Sequence, residues 1–182
     1  PPLLFVRGNT AVLSRRQLAI VGSRKASAAG RRAATELAGA CCDAGIIVTS
    51  GLALGIDAAA HRGALSVGGP SVAVVATGLD VCYPRRHQEL RDELLISGAI
   101  VSEFPYGNAP QRHAFPRRNR VISGLSDGVL VVEAGLPSGS LITAGLAGDQ
   151  GRDVFAVPGS IYNPGSRGCH QLLRDEIGRA HV

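Results

Sequence analysis

The chain has 182 residues, 45% of them hydrophobic, which is enough for one globular domain with a sizeable buried core. It holds no run of apolar residues long enough to read as a membrane span. Its net charge of +5 permits a polyanionic partner without requiring one.

Leu3–Arg7 reads as a short strand on a sheet edge, closed by Gly8-Asn9. A regular alternation follows. Strands are expected at Leu18–Gly22, Ile46–Ser50, Ser71–Ala76, Ala99–Glu103, Gly128–Glu133 and Asp153–Val157. Most are short, rich in Val and Ile, and bounded by Gly or Pro, as strands buried on both faces tend to be. Helices fill the gaps at Ser27–Ala44, Ile56–Ser66, Arg86–Ser97, Pro116–Leu125, Gly139–Gly151 and Arg167–Glu176. In the first helix Ala33, Leu37, Ala40 and Ala44 recur on one face as the expected apolar stripe, and Gly45 stops it. Short joins between strands and helices imply a mostly parallel sheet covered on both faces, a Rossmann-like α/β fold. Ligands of such sheets bind beyond the carboxyl ends of the strands, so the loops there carry the functional reading.

The first of these loops is Gly22-Ser23-Arg24-Lys25-Ala26-Ser27. The next glycine is Gly30, well inside the helix, so the dinucleotide fingerprint is absent, and no Gly-Lys-Ser/Thr follows as a Walker A loop would need. What remains is a small-residue turn with two cations at a helix mouth, suited to a phosphate; alternatively Ser23 or Ser27 is simply an N-cap. The second loop runs Thr49-Ser50-Gly51 to Asp57, with His61 four residues on. Asp57 and His61 share a helix face and could do acid–base work or bind metal, but the favoured reading is local: Asp57 at the positive helix terminus and His61 bonded nearby. At the third edge Thr77-Gly78 could approach a ligand closely, while Arg85 and Arg86 read as a solvated turn.

From Phe104 to Ser126 no Asp or Glu occurs, yet Arg112, Arg117, Arg118 and Arg120 all fall there, interleaved with Phe104, Tyr106 and Phe115. Arginine among aromatics suits single-stranded nucleic acid, where phosphates meet charge and bases stack on rings. Phe115 alone is equally suited to plugging the core. Downstream, the buried strand Gly128–Glu133 leads to Pro137-Ser138-Gly139-Ser140, which opens a helix and leaves backbone N–H groups for an anion. The four cysteines show no metal spacing: Cys41 and Cys42 are adjacent, Cys82 and Cys169 isolated. No metal and no cofactor is expected. The stretch after Pro1-Pro2 is too short for a secretory leader, and the lack of any methionine suggests a piece of a longer protein.

Taken in order, these stretches resemble the DNA-processing protein A (Smf) family of bacteria. The likeness rests on Ala19-Ile-Val-Gly-Ser-Arg24, Ser50-Gly-Leu-Ala-Leu-Gly-Ile-Asp-Ala-Ala-Ala-His61, Ala76-Thr-Gly-Leu-Asp80, Ser102-Glu-Phe-Pro105, Phe115-Pro-Arg-Arg-Asn-Arg-Val-Ile122, Pro137-Ser-Gly-Ser-Leu-Ile-Thr-Ala144 and Phe155-Ala-Val-Pro-Gly159. It covers about Leu3 to Asp175. The resemblance implies an extended Rossmann-like core that binds single-stranded DNA entering the cell in natural transformation. Such a protein protects the strand, helps load the RecA recombinase, and acts as a cytosolic homodimer rather than an enzyme. The N-terminal helical and C-terminal winged-helix domains common in the family are expected to be absent.

Carried over residue by residue, Arg24 would grip a backbone phosphate, with Gly22, Ser23 and Lys25 in the same turn and Ser50 and Gly51 at the neighbouring strand edge. Arg112 and Arg118 would add basic contacts, and Phe115 would meet a base. Asn119 and Arg120 would shape the pocket, with Gly139 and Ser140 offering backbone donors. Domain bounds follow: 1–17 edge strand and lead-in, 18–176 the DNA-binding core, 177–182 an uncertain tail. The chain departs from the family pattern at Asp175-Glu176-Ile177, where Gly-Ala is usual. A rival resemblance exists: the Leu136-Pro-Ser-Gly-Ser loop is similar to that of the lysine-decarboxylase-like phosphoribohydrolases. Those enzymes need a glutamate soon after the loop. Leu141–Leu146 has no acid, although Glu103 and Glu133 end strands nearby and could substitute.

Overall fold

The structure, a computed structural model, describes residues 1–177; the expected tail lies outside the described residues apart from Ile177. Seven strands appear: β1 (Phe5–Gly8), β2 (Gln17–Gly22), β3 (Ile47–Ser50), β4 (Ser71–Val74), β5 (Ala99–Ser102), β6 (Gly128–Glu133) and β7 (Asp153–Ala156). They form one sheet in the order β1-β5-β4-β3-β2-β6-β7, parallel except for β1, which pairs antiparallel with β5 at one edge. The Rossmann-like α/β expectation holds. Strands β3, β4 and β5 are buried at every residue, which is why they read as continuous apolar runs rather than alternating ones.

The helices are α1 (Ala28–Asp43), α2 (Ile56–Ser66), α3 (Gln88–Ser97), α4 (Ala114–Leu125), α5 (Gly139–Asp149) and α6 (Arg167–Ile177). Alternate strand residues divide the core between two layers. Ile20 and Val48 pack with Ala34, Ala38, Ile56 and Ala60 of α1 and α2, and Ala73 and Val75 with Leu90 and Leu94 of α3. Ala19, Val21, Val72 and Val74 face the other way, against Val121 and Ile122 of α4, Ala144 and Ala147 of α5, and Cys169 of α6.

Three expectations need correction. The buried face of α1 is Gly30, Ala34 and Ala38, whereas Leu37, Ala40 and Ala44 are exposed. Alanines lie on both sides of this helix, so apolar spacing fits two registers; close packing against α2 selects the one with the smaller residues. Helix α4 starts at Ala114 rather than Pro116, which places Phe115 and Pro116 in its first turn, where the missing N–H of proline costs nothing. A 3₁₀ turn at Arg85–His87 precedes α3 and shortens it.

The α1–α2 contact depends on Gly63, because a Cβ there would lie 2.7 Å from Thr35 Cα, a backbone atom that cannot swing aside. Gly63→Val is expected to lower unfolding free energy by about 1–3 kcal/mol, as overpacking does. Urea unfolding followed by circular dichroism checks this.

Candidate functional site

From β2 the chain builds outward through β3, β4 and β5, then returns to lay β6 on the opposite side of β2. Where strand order reverses in this way, the loops on the two sides diverge and leave a crevice beyond the strand ends. A cleft of about 700 Å³ opens there. Its walls are the turn after β2 (Gly22 to Lys25), the start of α5 (Ser138 to Thr143), and Arg112, Phe115, Arg118 and Asn119 of α4 and its lead-in.

The β2 turn is held by backbone and cap bonds. Ser23 N–H donates to Glu133 O at 2.7 Å, and Ser23 Oγ accepts from Lys25 N–H at 3.1 Å. Ser27 is the N-cap of α1: its Oγ accepts from Gly30 N–H at 2.9 Å and donates to the Glu133 carboxylate at 2.5 Å. The N-cap reading is therefore met by Ser27, Ser23 serving only the turn, and Arg24 and Lys25 are left exposed at the mouth. The Arg24 guanidinium lies 5.0 Å from the Phe115 ring centroid. Tyr83 packs on the same ring at 5.6 Å, tilted by 49°. Phe115 is thus half-buried in the cleft wall and is not a core plug. Asn119 Nδ2 donates to Gly139 O at 3.2 Å, joining α4 to the start of α5. Ser138 caps α5 by accepting from Ser140 N–H at 3.3 Å.

Four expected site residues are placed differently. Arg118 is buried and donates to Val74 O from beneath Gly51, so it supports the cleft from within rather than reaching out to an anion. Burial pulls its pKa down to about 10, which leaves it charged at neutral pH, with the Asp57 carboxylate acting to raise it. Arg120 is paired with Glu103 and lies outside the cleft lining. Ser50 is fully buried and donates to Ile20 O at 2.6 Å. Gly51 N–H is spent on Asp57 at 3.1 Å. The signal that separates these from Arg24 is tertiary: a buried arginine and an exposed one look alike in a basic run.

Asp57 reaches back from the first turn of α2 to accept from Gly51 N–H and from Ala53 N–H at 3.3 Å, clamping the loop after β3. Burial raises its pKa, opposed chiefly by Arg118. His61 faces Ser71, its Nδ1 2.8 Å from Ser71 Oγ. That hydroxyl donates to Val48 O at 2.6 Å, so Nδ1 is the donor and carries a proton. Burial and the neighbouring His87 hold the His61 pKa at about 3. The pair thus does two local structural jobs. Gly78 is accounted for by Pro105, whose carbonyl oxygen would lie 2.5 Å from any Cβ. No cluster of three or more metal-ligating side chains occurs among the described residues. Sequence reading passed over Tyr83, although an aromatic beside Arg85 and Arg86 repeats the composition that marked Phe115.

A family model described as DNA recombination-mediator protein A matches residues 1–181. Protein Smf of Escherichia coli is 53% identical over 175 residues, 96% of this chain and 47% of that protein. DNA processing protein DprA of Streptococcus pneumoniae is 45% identical over 175 residues, 96% of this chain and 62% of that one. Among solved structures, S. pneumoniae DprA superposes with a TM-score of 0.90 at 44% identity, covering 94% of this chain and 60% of that chain. DNA processing protein A of Helicobacter pylori, described with a unique single-stranded DNA binding mode, gives 0.88 at 30% identity over 98% and 80%. A molybdenum cofactor binding protein from Rippkaea orientalis gives 0.61 at 16% identity and shares the fold alone. The chain belongs to the DNA recombination-mediator protein A family. It spans 47% and 62% of the two curated relatives. No helix among the described residues is long and apolar enough to cross a membrane.

Two predictions separate support from surface. Arg118→Ala leaves Asp57 buried without its compensating charge and is expected to cost about 3 kcal/mol or more, whereas exposed Arg24→Ala should stay within about 0.5 kcal/mol; denaturant midpoints distinguish them. His61 binds its proton at about pH 3 folded and near 6.5 when freely hydrated. Its contribution is therefore complete above pH 6.5 and is lost as pH falls toward 3, by up to about 1.4 kcal/mol per pH unit. In His61→Gln the stability–pH curve over that window should flatten by this amount.

Proposed function

We propose that this chain binds single-stranded DNA in the cleft between the ends of β2 and β6, in recombination and natural transformation. The observation that carries the reading is an exposed arginine, Arg24, lying over a half-buried ring, Phe115, in the cleft wall at a topological switch point. Phosphates would meet Arg24, Lys25 and Arg112, while bases would stack on Phe115 and Tyr83. Among the described residues none of these three cations is ion-paired. The single-strand binding mode described for the H. pylori relative supports the same ligand. Family membership extends the proposal: the chain protects the strand, helps load the RecA recombinase, and works as a cytosolic homodimer.

Nucleotide hydrolysis finds less support. The first turn of α5 carries no acid, Glu133 is engaged by Ser27, and Glu103 by Arg120. We therefore read the chain as a binding protein rather than an enzyme.

Fluorescence anisotropy of labelled oligo-dT tests the proposal. With three phosphate contacts, log affinity should fall against log salt with a slope of about −2, from roughly −0.7 per contact on a single strand. Arg24→Ala/Arg112→Ala should leave a slope of about −0.7, and Phe115→Ala should cost about 1–3 kcal/mol. Duplex DNA should compete poorly because its paired bases cannot enter the cleft; equal affinity for duplex and single strand would sink the proposal.

A further inference from the structure

We propose that a single strand leaving the cleft runs on to a second arginine–aromatic station, formed by Arg117, Phe104 and Tyr106 on the far flank of α4. This rests on the DNA reading for its ligand and extends it to residues outside the cleft, none of the three being in its lining.

Two arginine–ring contacts occur among the described residues, and each involves the first turn of α4. Arg24 lies over Phe115 in the cleft wall. On the other flank the Arg117 guanidinium lies 5.9 Å from the Phe104 ring centroid, near the outer limit of a cation–π contact. Arg117 follows Phe115 by two residues, about 200° round the helix, so the two side chains leave α4 on nearly opposite sides. The composition that marks the cleft is therefore repeated across the helix, at the same carboxyl edge of the sheet, where the chain leaves β5.

The turn that carries the two rings is held at both ends. Phe104 N–H donates to Ser102 Oγ at 3.0 Å, and Gly107 N–H donates to both carboxylate oxygens of Asp80 at 2.9 Å. Gly78 N–H donates to Asn108 O at 3.0 Å, tying the same turn to the loop after β4. On this pinned backbone Phe104 is half-buried, whereas Tyr106 is 65% exposed. A ring held out in water adds little to the core. It gives an incoming base a stacking surface already in place, with little ordering left to do on binding.

Charge agrees. Arg117 is exposed and, among the described residues, makes no ion pair. The acids on this flank are engaged, Glu103 by Arg120 and Asp80 by Gly107. Arg112 is exposed, lines the cleft, and stands in the chain between Tyr106 and Phe115, so a cation bridges the two stations. From Arg24 and Phe115 through Arg112 to Tyr106 and Arg117, cations and rings alternate as the phosphates and bases of a single strand do. A paired duplex offers no free base faces to the second pair of rings, so the same discrimination applies along the whole track.

The test is fluorescence anisotropy with a ladder of labelled oligo-dT, from strands that fill the cleft alone to strands long enough to cross α4. Tyr106→Ala should weaken long strands about five- to 150-fold, the worth of one stacked base, and leave short ones unchanged. Arg117→Ala should lower the log–log salt slope by about 0.7 on long strands only. Tyr106→Phe keeps the ring and Arg117→Lys keeps the charge, so both should bind long strands as the unaltered chain does. Because both positions are exposed, the melting temperatures of all four variants should match that of the unaltered chain. Full affinity for long strands in both alanine variants overturns the inference and leaves the cleft reading standing. Equal losses on short and long strands also overturn it, by placing the effect in the cleft. No binding by the unaltered chain at any length removes the DNA reading itself, and the second station with it.

Discussion

The guanidinium of Arg118 is a charge held almost out of water where the ends of β3 and β4 meet the start of α2. It donates to Val74 O at the end of β4, underlies Gly51 after β3, and is balanced by the carboxylate of Asp57, which itself grips Gly51 and Ala53. A desolvated charge tolerates few arrangements, since each lost partner leaves an uncompensated group in low dielectric. Helix α4 is thereby fixed against the sheet in rotation as well as position. Phe115, one turn before Arg118, and Asn119, next to it, are set by that rotation, and with them the cleft wall and the link to α5.

This arrangement separates two kinds of arginine that a basic stretch puts side by side. Arg118 and Arg120 are neutralised internally, the first by a carbonyl and a nearby carboxylate, the second by Glu103. Arg112 and Arg24 are not. An acid-free run of twenty-odd residues therefore overstates the charge available to a ligand, because the compensating acids come from Asp57 and Glu103, outside it.

That difference marks what is legible from sequence. Strands such as Gly128–Glu133 and helices such as Ile56–Ser66 could be placed residue for residue, because Gly and Pro bound them and their apolar runs have one interpretation. So could the loops of the cleft, since the fold class alone puts chemistry at the carboxyl ends of parallel strands. The face of α1 could not: a helix so rich in alanine carries little periodicity, and the packing of Gly63 on Thr35 decides it. Nor could the fates of Ser50 and Gly51. A serine and a glycine at a strand end suit an anion site and a buried hydrogen bond equally well, and only the positions of Ile20 O and Asp57 choose between them.

The Arg24–Phe115 contact then has a consequence for how the proposed ligand enters. The guanidinium rests on the ring face that a base would use, so the two compete for it. A cation–π contact at an exposed site is worth about 0.5–1 kcal/mol, less than the roughly 1–3 kcal/mol of a stacked base. Exchange is favourable provided the displaced arginine finds a new partner, and the phosphate attached to the incoming base is within reach of a side chain already at the cleft mouth. One movement would then expose the stacking surface and deliver the phosphate contact. In the unliganded protein the same contact keeps Phe115 covered, so an apolar ring need not stand bare in water to be ready for a strand.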